Sequence, residues 1–242
     1  MSVVNKKIKD IYCKFFCPRN EVKNVIIAIH GFAGDKDSSV IEALAKKFDN
    51  TTLVVSFDLP CHGEDKMNKL DLYECLNYLS TIIEYIEEQY GEWPISIFAT
   101  SFGAYLFLNY LKNTKYVFNN IVLRAPAIFM DKVLINSILK DHNVSLNDLS
   151  SNGVNLGYSK EIFVDKKFVQ DLKNNSLKNC IYSQHINIIQ GDRDEVVNVK
   201  ENESFYKSNF KDYTLYYIKG ADHRFKKQGE LEQILSIVAS IM

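Results

Sequence analysis

Ser101 lies in the stretch Ile95-Ser96-Ile97-Phe98-Ala99-Thr100-Ser101-Phe102-Gly103-Ala104, where an apolar, β-branched run ends in small residues around a serine. A helix-compatible segment, Tyr105 to Lys112, follows at once. That order predicts a strand, a sharp strained turn with the serine at its apex, and then a helix. Such a turn brings strand and helix backbones together, so the positions two before and two after the serine must be small. Gly103 meets this need, and Ala99 stands where glycine is more usual. A serine held this way is a candidate nucleophile, but its hydroxyl attacks well at neutral pH only when a base takes its proton.

Two later stretches offer the missing groups. Gly191-Asp192-Arg193-Asp194-Glu195-Val196-Val197 follows the strand-like Ile186 to Gln190, and Gly220-Ala221-Asp222-His223-Arg224-Phe225 follows Leu215 to Ile218. Serine, acid and histidine thus appear in that order, each just past the end of a predicted strand. His223 is the expected base, because an imidazole both takes and returns a proton near neutrality. A carboxylate is needed to hold its tautomer and to stabilise the imidazolium. Asp194, just before Val196-Val197, is the first candidate; Asp192, nearer the strand, is the alternative, and the pair is also good turn chemistry. The developing oxyanion needs two preorganised N–H donors. Phe102 N–H, at the start of the helix, is one candidate. Phe32 N–H, in the loop His30-Gly31-Phe32-Ala33-Gly34 after Val25 to Ile29, is the other. His30, inside a glycine turn, reads as a loop hydrogen-bonding residue rather than a second base.

These groups need a scaffold of strands and helices. The first strand is expected over Ile8 to Phe16, and Val25 to Ile29 is a continuous apolar run of the kind buried on both faces. Ser38 to Phe48 and Leu72 to Tyr90 carry apolar residues at helical spacing, while Thr51 to Phe57 and Asn120 to Leu123 read as strands. Strands alternating with helices predict an α/β fold with a mostly parallel central sheet and helices on both faces. The rhythm fails between Ala127 and Gln184, a stretch rich in Asn, Lys and Asp with interspersed aromatics. So long a stretch in a compact domain must form its own substructure. The expected organisation is a core of residues 1–126 and 185–242, with 127–184 as a small inserted cap over the catalytic face.

Composition narrows the functional classes. With 242 residues and 46% hydrophobic residues, the chain has the size and content of one large globular domain. A net charge of −1 gives no reason to expect nucleic acid or an anionic membrane as partner. The five cysteines, at 13, 17, 61, 75 and 180, form neither an even set nor a metal-ligand pattern, so no metal or other cofactor is expected. With no apolar leader at the N-terminus and no run long enough to span a bilayer, the chain is expected to be cytoplasmic, a monomer or homodimer.

Taken together, these stretches resemble the α/β-hydrolase superfamily of serine hydrolases over Val22 to Met242. His30-Gly31-Phe32 is similar to its oxyanion-loop motif, and Asp58-Leu59-Pro60-Cys61-His62-Gly63 to its Asp-x-Pro-Gly-His-Gly loop. Ala99 to Gly103 matches the nucleophile elbow, Gly191 to Val197 the acid loop and Gly220 to His223 the histidine loop. The Leu123-Arg124-Ala125-Pro126 entry into a short insert and the Gly-Ala-Asp-His ending are similar to bacterial carboxylesterases, nearest to cinnamoyl/feruloyl esterases and serine aminopeptidase-like hydrolases. Cys61 departs from the pattern, replacing a loop glycine, and reads as a small buried thiol. The resemblance implies a carboxylesterase that cleaves small soluble esters through an acyl-enzyme on Ser101, with aromatic-acyl esters as one candidate class. Amide or thioester cleavage by the same groups, or a non-catalytic binding module on the same fold, are the alternatives. Expected substrate contacts are Gly31 and the insert residues Phe129, Asp131, Tyr158 and Phe163, with Glu64 as a further polar candidate. His62, His142, His185 and Trp93 are expected to be structural.

Overall fold

In the computed structural model, which describes residues 1–67 and 69–242, eight strands form one sheet. They are β1 (Ser2–Ile8), β2 (Ile11–Cys17), β3 (Asn24–Ile29), β4 (Thr52–Phe57), β5 (Ile95–Thr100), β6 (Ile121–Arg124), β9 (Ile186–Gly191) and β10 (Tyr213–Ile218). Their order across the sheet is β1-β2-β4-β3-β5-β6-β9-β10. The pairs β1–β2 and β2–β4 are antiparallel, and every other neighbouring pair is parallel. One strand expected over Ile8 to Phe16 is instead a hairpin: Lys9 takes a positive φ of 53° and Ile8 pairs with Ile11.

The sheet is covered on both faces because successive strand residues point to opposite sides. In β3, Val25, Ile27 and Ile29 join one core, with α2 (Leu72–Tyr90) and α3 (Phe102–Leu111). Ile26 and Ala28 join the other, with Ile41, Leu44 and Ala45 of α1 (Ser39–Lys47) and Ile234 and Val238 of α7 (Glu230–Ile241). Asp71 starts α2 by accepting the N–H groups of Tyr73 and Glu74, a cap of the kind worth about 1 kcal/mol. Burial on both faces explains why the central strands read as unbroken apolar runs rather than as alternation.

Residues 127–184 fold as short pieces. α4 (Met130–Val133) runs into a π-helical turn (Leu134–Leu139), then come the two-residue strands β7 (Val154–Asn155) and β8 (Phe163–Val164) and α5 (Lys166–Asn174). Backbone and side-chain bonds tie this segment to the sheet domain: Leu70 N–H donates to Phe163 O at 2.9 Å, Lys160 Nζ to Asp65 O at 2.6 Å, and Lys167 Nζ pairs with Asp71 at 2.7 Å. The remaining helix, α6 (Val199–Asn209), follows the acid-bearing loop after β9. No helix among the described residues is long and apolar enough to cross a membrane.

Candidate active site

Because β3, β5, β9 and β10 are parallel, their carboxyl ends lie along one edge of the sheet, where open α/β folds place their sites. His30, Ser101, Asp194 and His223 each follow one of these ends. Ser101 has φ 50° and ψ −111°, a conformation that costs a non-glycine residue about 1–3 kcal/mol. The surroundings impose it. Ser101 N–H donates to Arg124 O at 2.9 Å, and Ser101 O accepts from Ala104 N–H and Ala127 N–H. Gly103 lets the helix close on the strand, since a Cβ there would lie 2.4 Å from His30 O.

Three side chains form one hydrogen-bonded line. Ser101 Oγ lies 2.9 Å from His223 Nε2, and His223 Nδ1 lies 2.8 Å from Asp194 Oδ2. Asp194 is fully buried at its side chain, and its other partners are Gln190 Nε2 at 2.8 Å and the N–H groups of Val196 and Val197, each at 2.9 Å. A buried carboxylate surrounded only by donors is fixed in direction. Asp192 instead accepts from Gly220 N–H and so braces the turn between the acid and histidine loops. Gly191 is equally constrained, because a Cβ there would lie 2.4 Å from Ala221 O.

The loop after β3 presents its amides to the serine. A Cβ on Gly31 would sit 3.3 Å from Ser101 Cβ, so this backbone passes directly beside the nucleophile position. Gly31 O is held from the far side by Gly34 N–H at 3.0 Å and by His30 Nδ1 at 2.8 Å. A peptide unit is planar and trans, so fixing Gly31 C=O away turns Phe32 N–H the opposite way. Neither Phe32 N–H nor Phe102 N–H has a hydrogen-bond partner among the described residues. His30 is therefore the orienting residue of the loop: its Nε2 accepts Leu59 N–H at 3.1 Å, leaving Nδ1 as the donor to Gly31.

Asp58 joins the two motif loops from below. Its carboxylate accepts Lys36 N–H and Glu64 N–H, each at 2.8 Å, and Lys36 Nζ, itself bonded to Glu64 at 2.6 Å, lies 3.5 Å away. Gly63, at φ 52°, is required because a Cβ would meet Asp58 Oδ1 at 2.2 Å. Cys61 adopts φ 65°, the conformation for which glycine is the common residue, and is buried, with its thiol pushed up to about 12 by burial.

His30 and His62 are both neutral in the fold. Burial lowers His30 from 6.5 to about 4 and His62 to about 3. On unfolding both regain the ordinary value, so the unfolded chain takes up protons below pH 6.5 that the folded chain refuses until pH approaches its lower values. Stability therefore falls on acidification, by about 1.4 kcal/mol per histidine at pH 5.5. Urea unfolding at pH 7.5 and 5.5 should register the loss, with the imidazole nitrogen signals of His30 and His62 still neutral at pH 5.5. Protonated signals in the folded protein at that pH would contradict this account.

Two cavities flank Ser101. One, of about 100 Å³, has a mixed lining: Phe32, Met130, Val133, Ile138, Tyr158 and Val196 on its apolar side, and Ser137, Asp141, His223 and Arg224 on its polar side. The other, of about 380 Å³, runs from the Gly31–Gly34 loop past Thr100 to Arg124, His223 and Arg224. Of the expected substrate contacts, Gly31 lines the larger cavity and Tyr158 lines both. Phe129, Asp131 and Phe163 do not line either cavity: Phe129 turns to Phe205, with ring centroids 6.0 Å apart, and Phe163 is paired in β8 with Asn155. Glu64 is engaged with Lys36, and Trp93 packs at the edge of the core. His142 stacks edgewise on Tyr158 at 4.6 Å, and His185 pairs with Asp212 at 2.9 Å. Met130, Val133, Ile138, Val196, Arg124 and Arg224 were not anticipated. A buried arginine at the carboxyl end of a central strand, and a second beside the histidine, were the signals available for the last two.

Comparison with known proteins agrees with this fold. Residues 20–180 match the family described as serine aminopeptidase, S33. Curated sequences give no match. Among solved structures, Est1E from Butyrivibrio proteoclasticus with ferulic acid bound superposes with a TM-score of 0.81 at 16% identity, covering 98% of this chain and 96% of that one. A monoacylglycerol lipase from Paleococcus ferrophilus gives 0.67 at 18% identity over 95% and 97%. An α/β serine hydrolase from Xanthomonas campestris described as lacking a lid gives 0.65 at 15% identity over 99% and 92%. The likeness at these identities is one of fold, and the family match ends before the acid and histidine loops, whose placement rests on the distances above. With more than half of its length matched and the whole sheet superposed, the chain belongs to the serine aminopeptidase S33 family of α/β-hydrolases.

Proposed function

We propose that the protein is a serine carboxylesterase that cleaves small carboxylic esters through an acyl-enzyme on Ser101. The observation that carries this is the continuous line from Ser101 Oγ to His223 to Asp194, with the unpartnered N–H groups of Phe32 and Phe102 on the adjoining loop and helix start. Ser101 Oγ bonds to the acyl carbon while its proton passes to His223 Nε2. The carbonyl electrons move onto oxygen, where the two N–H groups hold the charge. They return as the C–O bond to the alcohol breaks, and His223 gives the proton to the departing oxygen. Water then repeats the sequence, with His223 as base, and releases the acid and free Ser101. Asp194 holds Nδ1 protonated throughout, so that Nε2 faces the serine as acceptor.

The smaller cavity, of about 100 Å³, suits a short acyl group by its size, since one water-sized group takes roughly 30 Å³. Phe32 and Tyr158, with ring centroids 5.9 Å apart, give the mouth an aromatic wall, which favours aromatic-acyl esters as a second substrate class. The Est1E neighbour, with ferulic acid bound, is consistent with that class. Aminopeptidase action, suggested by the family's description, requires a pocket for a peptide's terminal ammonium. The larger cavity carries two arginines and no carboxylate in its lining, and of the two cavities beside Ser101 only the smaller has one, Asp141.

The test is hydrolysis of p-nitrophenyl acetate, butyrate, octanoate and decanoate, with methyl ferulate alongside. Acetate and butyrate are expected to exceed decanoate in kcat/KM by about tenfold or more, each step of 1.4 kcal/mol being one decade. Rates that rise with chain length would overturn the short-acyl reading. Labelling of Ser101 without turnover of any ester would favour a binding module.

A further inference from the structure

The two arginines beside the nucleophile have no part in the mechanism above. Arg124 ends β6 and is 6% exposed, yet it lines the larger cavity together with Ser101, His223 and Arg224. One of its amino groups donates to Arg224 O at 2.8 Å, its guanidinium lies 4.6 Å over the Phe225 ring, and its Nε has no partner among the described residues. Burial lowers it to about 10, which leaves it cationic at neutral pH. The carboxylates that act on it through space are Asp194, which is bonded to His223, and Asp222, which accepts Arg224 N–H and Phe225 N–H. Neither lines the cavity.

Arg224 is the complementary case. It is exposed, it borders both cavities, and its side chain makes no ion pair among the described residues. Arg124 fixes the main-chain carbonyl of Arg224, which stands next to His223 in the chain. The other buried cation among the described residues, Lys36, is neutralised by Asp37, Asp58 and Glu64. A cavity of about 380 Å³ lined by Ser101, His223 and two arginines, with no carboxylate in its lining, presents a positive wall that favours an anion.

We infer that the substrate of this site is an ester whose alcohol part carries an anionic group, a carboxylate or a phosphate, bound by Arg224 over the buried charge of Arg124. The acyl part then lies against Phe32, Met130, Val133 and Val196 of the smaller cavity, and the alcohol leaves past His223 with the anion held by Arg224. Charge-assisted bonds to a guanidinium are the ordinary means of recognising both kinds of oxyanion.

This rests on the esterase reading, and the experiment separates the two. The wild-type enzyme is assayed on 4-acetoxybenzoate, 4-acetoxyphenyl phosphate, neutral methyl 4-acetoxybenzoate and mono-p-nitrophenyl succinate, each corrected for its spontaneous hydrolysis. Arg224→Gln, Arg224→Lys and Arg224→Glu are run in parallel. The expected result is a kcat/KM ratio of anionic to neutral acetate above one, lowered about tenfold or more in Arg224→Gln and Arg224→Glu and largely restored in Arg224→Lys. The carboxylate and phosphate arms identify which oxyanion the site takes. A ratio at or below one in the wild type, a ratio indifferent to Arg224, or a preference confined to the succinate, whose anion is on the acyl side, would each overturn the inference while leaving the esterase reading intact. Failure of every ester, neutral ones included, would instead remove the reading on which it stands.

Discussion

Replacing Ser101 with alanine is expected to lower kcat for p-nitrophenyl butyrate by about 10⁴-fold or more, with the protein still folded. Removal of the attacking oxygen leaves only binding and oxyanion stabilisation, which together supply a small part of the rate in enzymes of this kind. The fold should tolerate the change. The strained backbone at φ 50° is held by main-chain bonds to Arg124, Ala104 and Ala127, which alanine keeps. Circular dichroism and a melting curve close to wild type, with activity at the background rate, are the expected pair of results. A variant retaining a tenth of the activity would place the nucleophile elsewhere.

The second large effect separates the two aspartates of the acid loop. Asp194→Asn is expected to lower kcat by about 10⁴-fold, whereas Asp192→Asn should stay within about tenfold of wild type. Both oxygens of Asp194 accept: Oδ1 from Val196 and Val197, Oδ2 from Gln190 and His223. An asparagine must turn its NH₂ toward one of these pairs of donors. Facing the main-chain amides it sets donor against donor inside the fold, and facing His223 it demands the tautomer with Nδ1 unprotonated. That tautomer carries its proton on Nε2 and cannot accept one from Ser101. Asp192 bonds only Gly220 N–H, a bond that the oxygen of asparagine preserves. Steady-state kinetics of both variants decide the matter, and equal losses would dissolve the distinction drawn between them.

How far the sequence carried the account differs from element to element. The strand–turn–helix around Ser101 was readable because three constraints coincide there: a buried strand, a glycine forced by the approach of His30 O, and an apolar helix directly after the turn. The choice of Asp194 over Asp192 was legible as a preference only, since both lie in a turn and the distances decide between them. The β1–β2 hairpin was missed because its turn, Lys9-Asp10, carries neither glycine nor proline, and β1 itself is largely exposed and polar.

Residues 127–184 were the least legible stretch. Before α5, a four-residue helix, a π-helical turn and two-residue strands leave no period to read. Phe129 was chosen for its ring, yet its neighbour Met130 lines the cavity, as a rotation of about 100° per residue at a helix start permits. In the sequence Arg124 and Arg224 are charges beside two motifs 100 residues apart, with nothing to link them. Only the three-dimensional lining reveals that both face the same cavity, without a carboxylate.

The most direct measurement is reaction of the wild-type protein with a fluorophosphonate, followed by intact mass and peptide mapping, with Ser101→Ala and Asp194→Asn alongside. This account predicts one adduct per chain on Ser101, none in Ser101→Ala, and strongly slowed labelling in Asp194→Asn. Absence of an adduct, or an adduct on any other residue, would contradict the assignment of Ser101 as the nucleophile activated by His223 and Asp194.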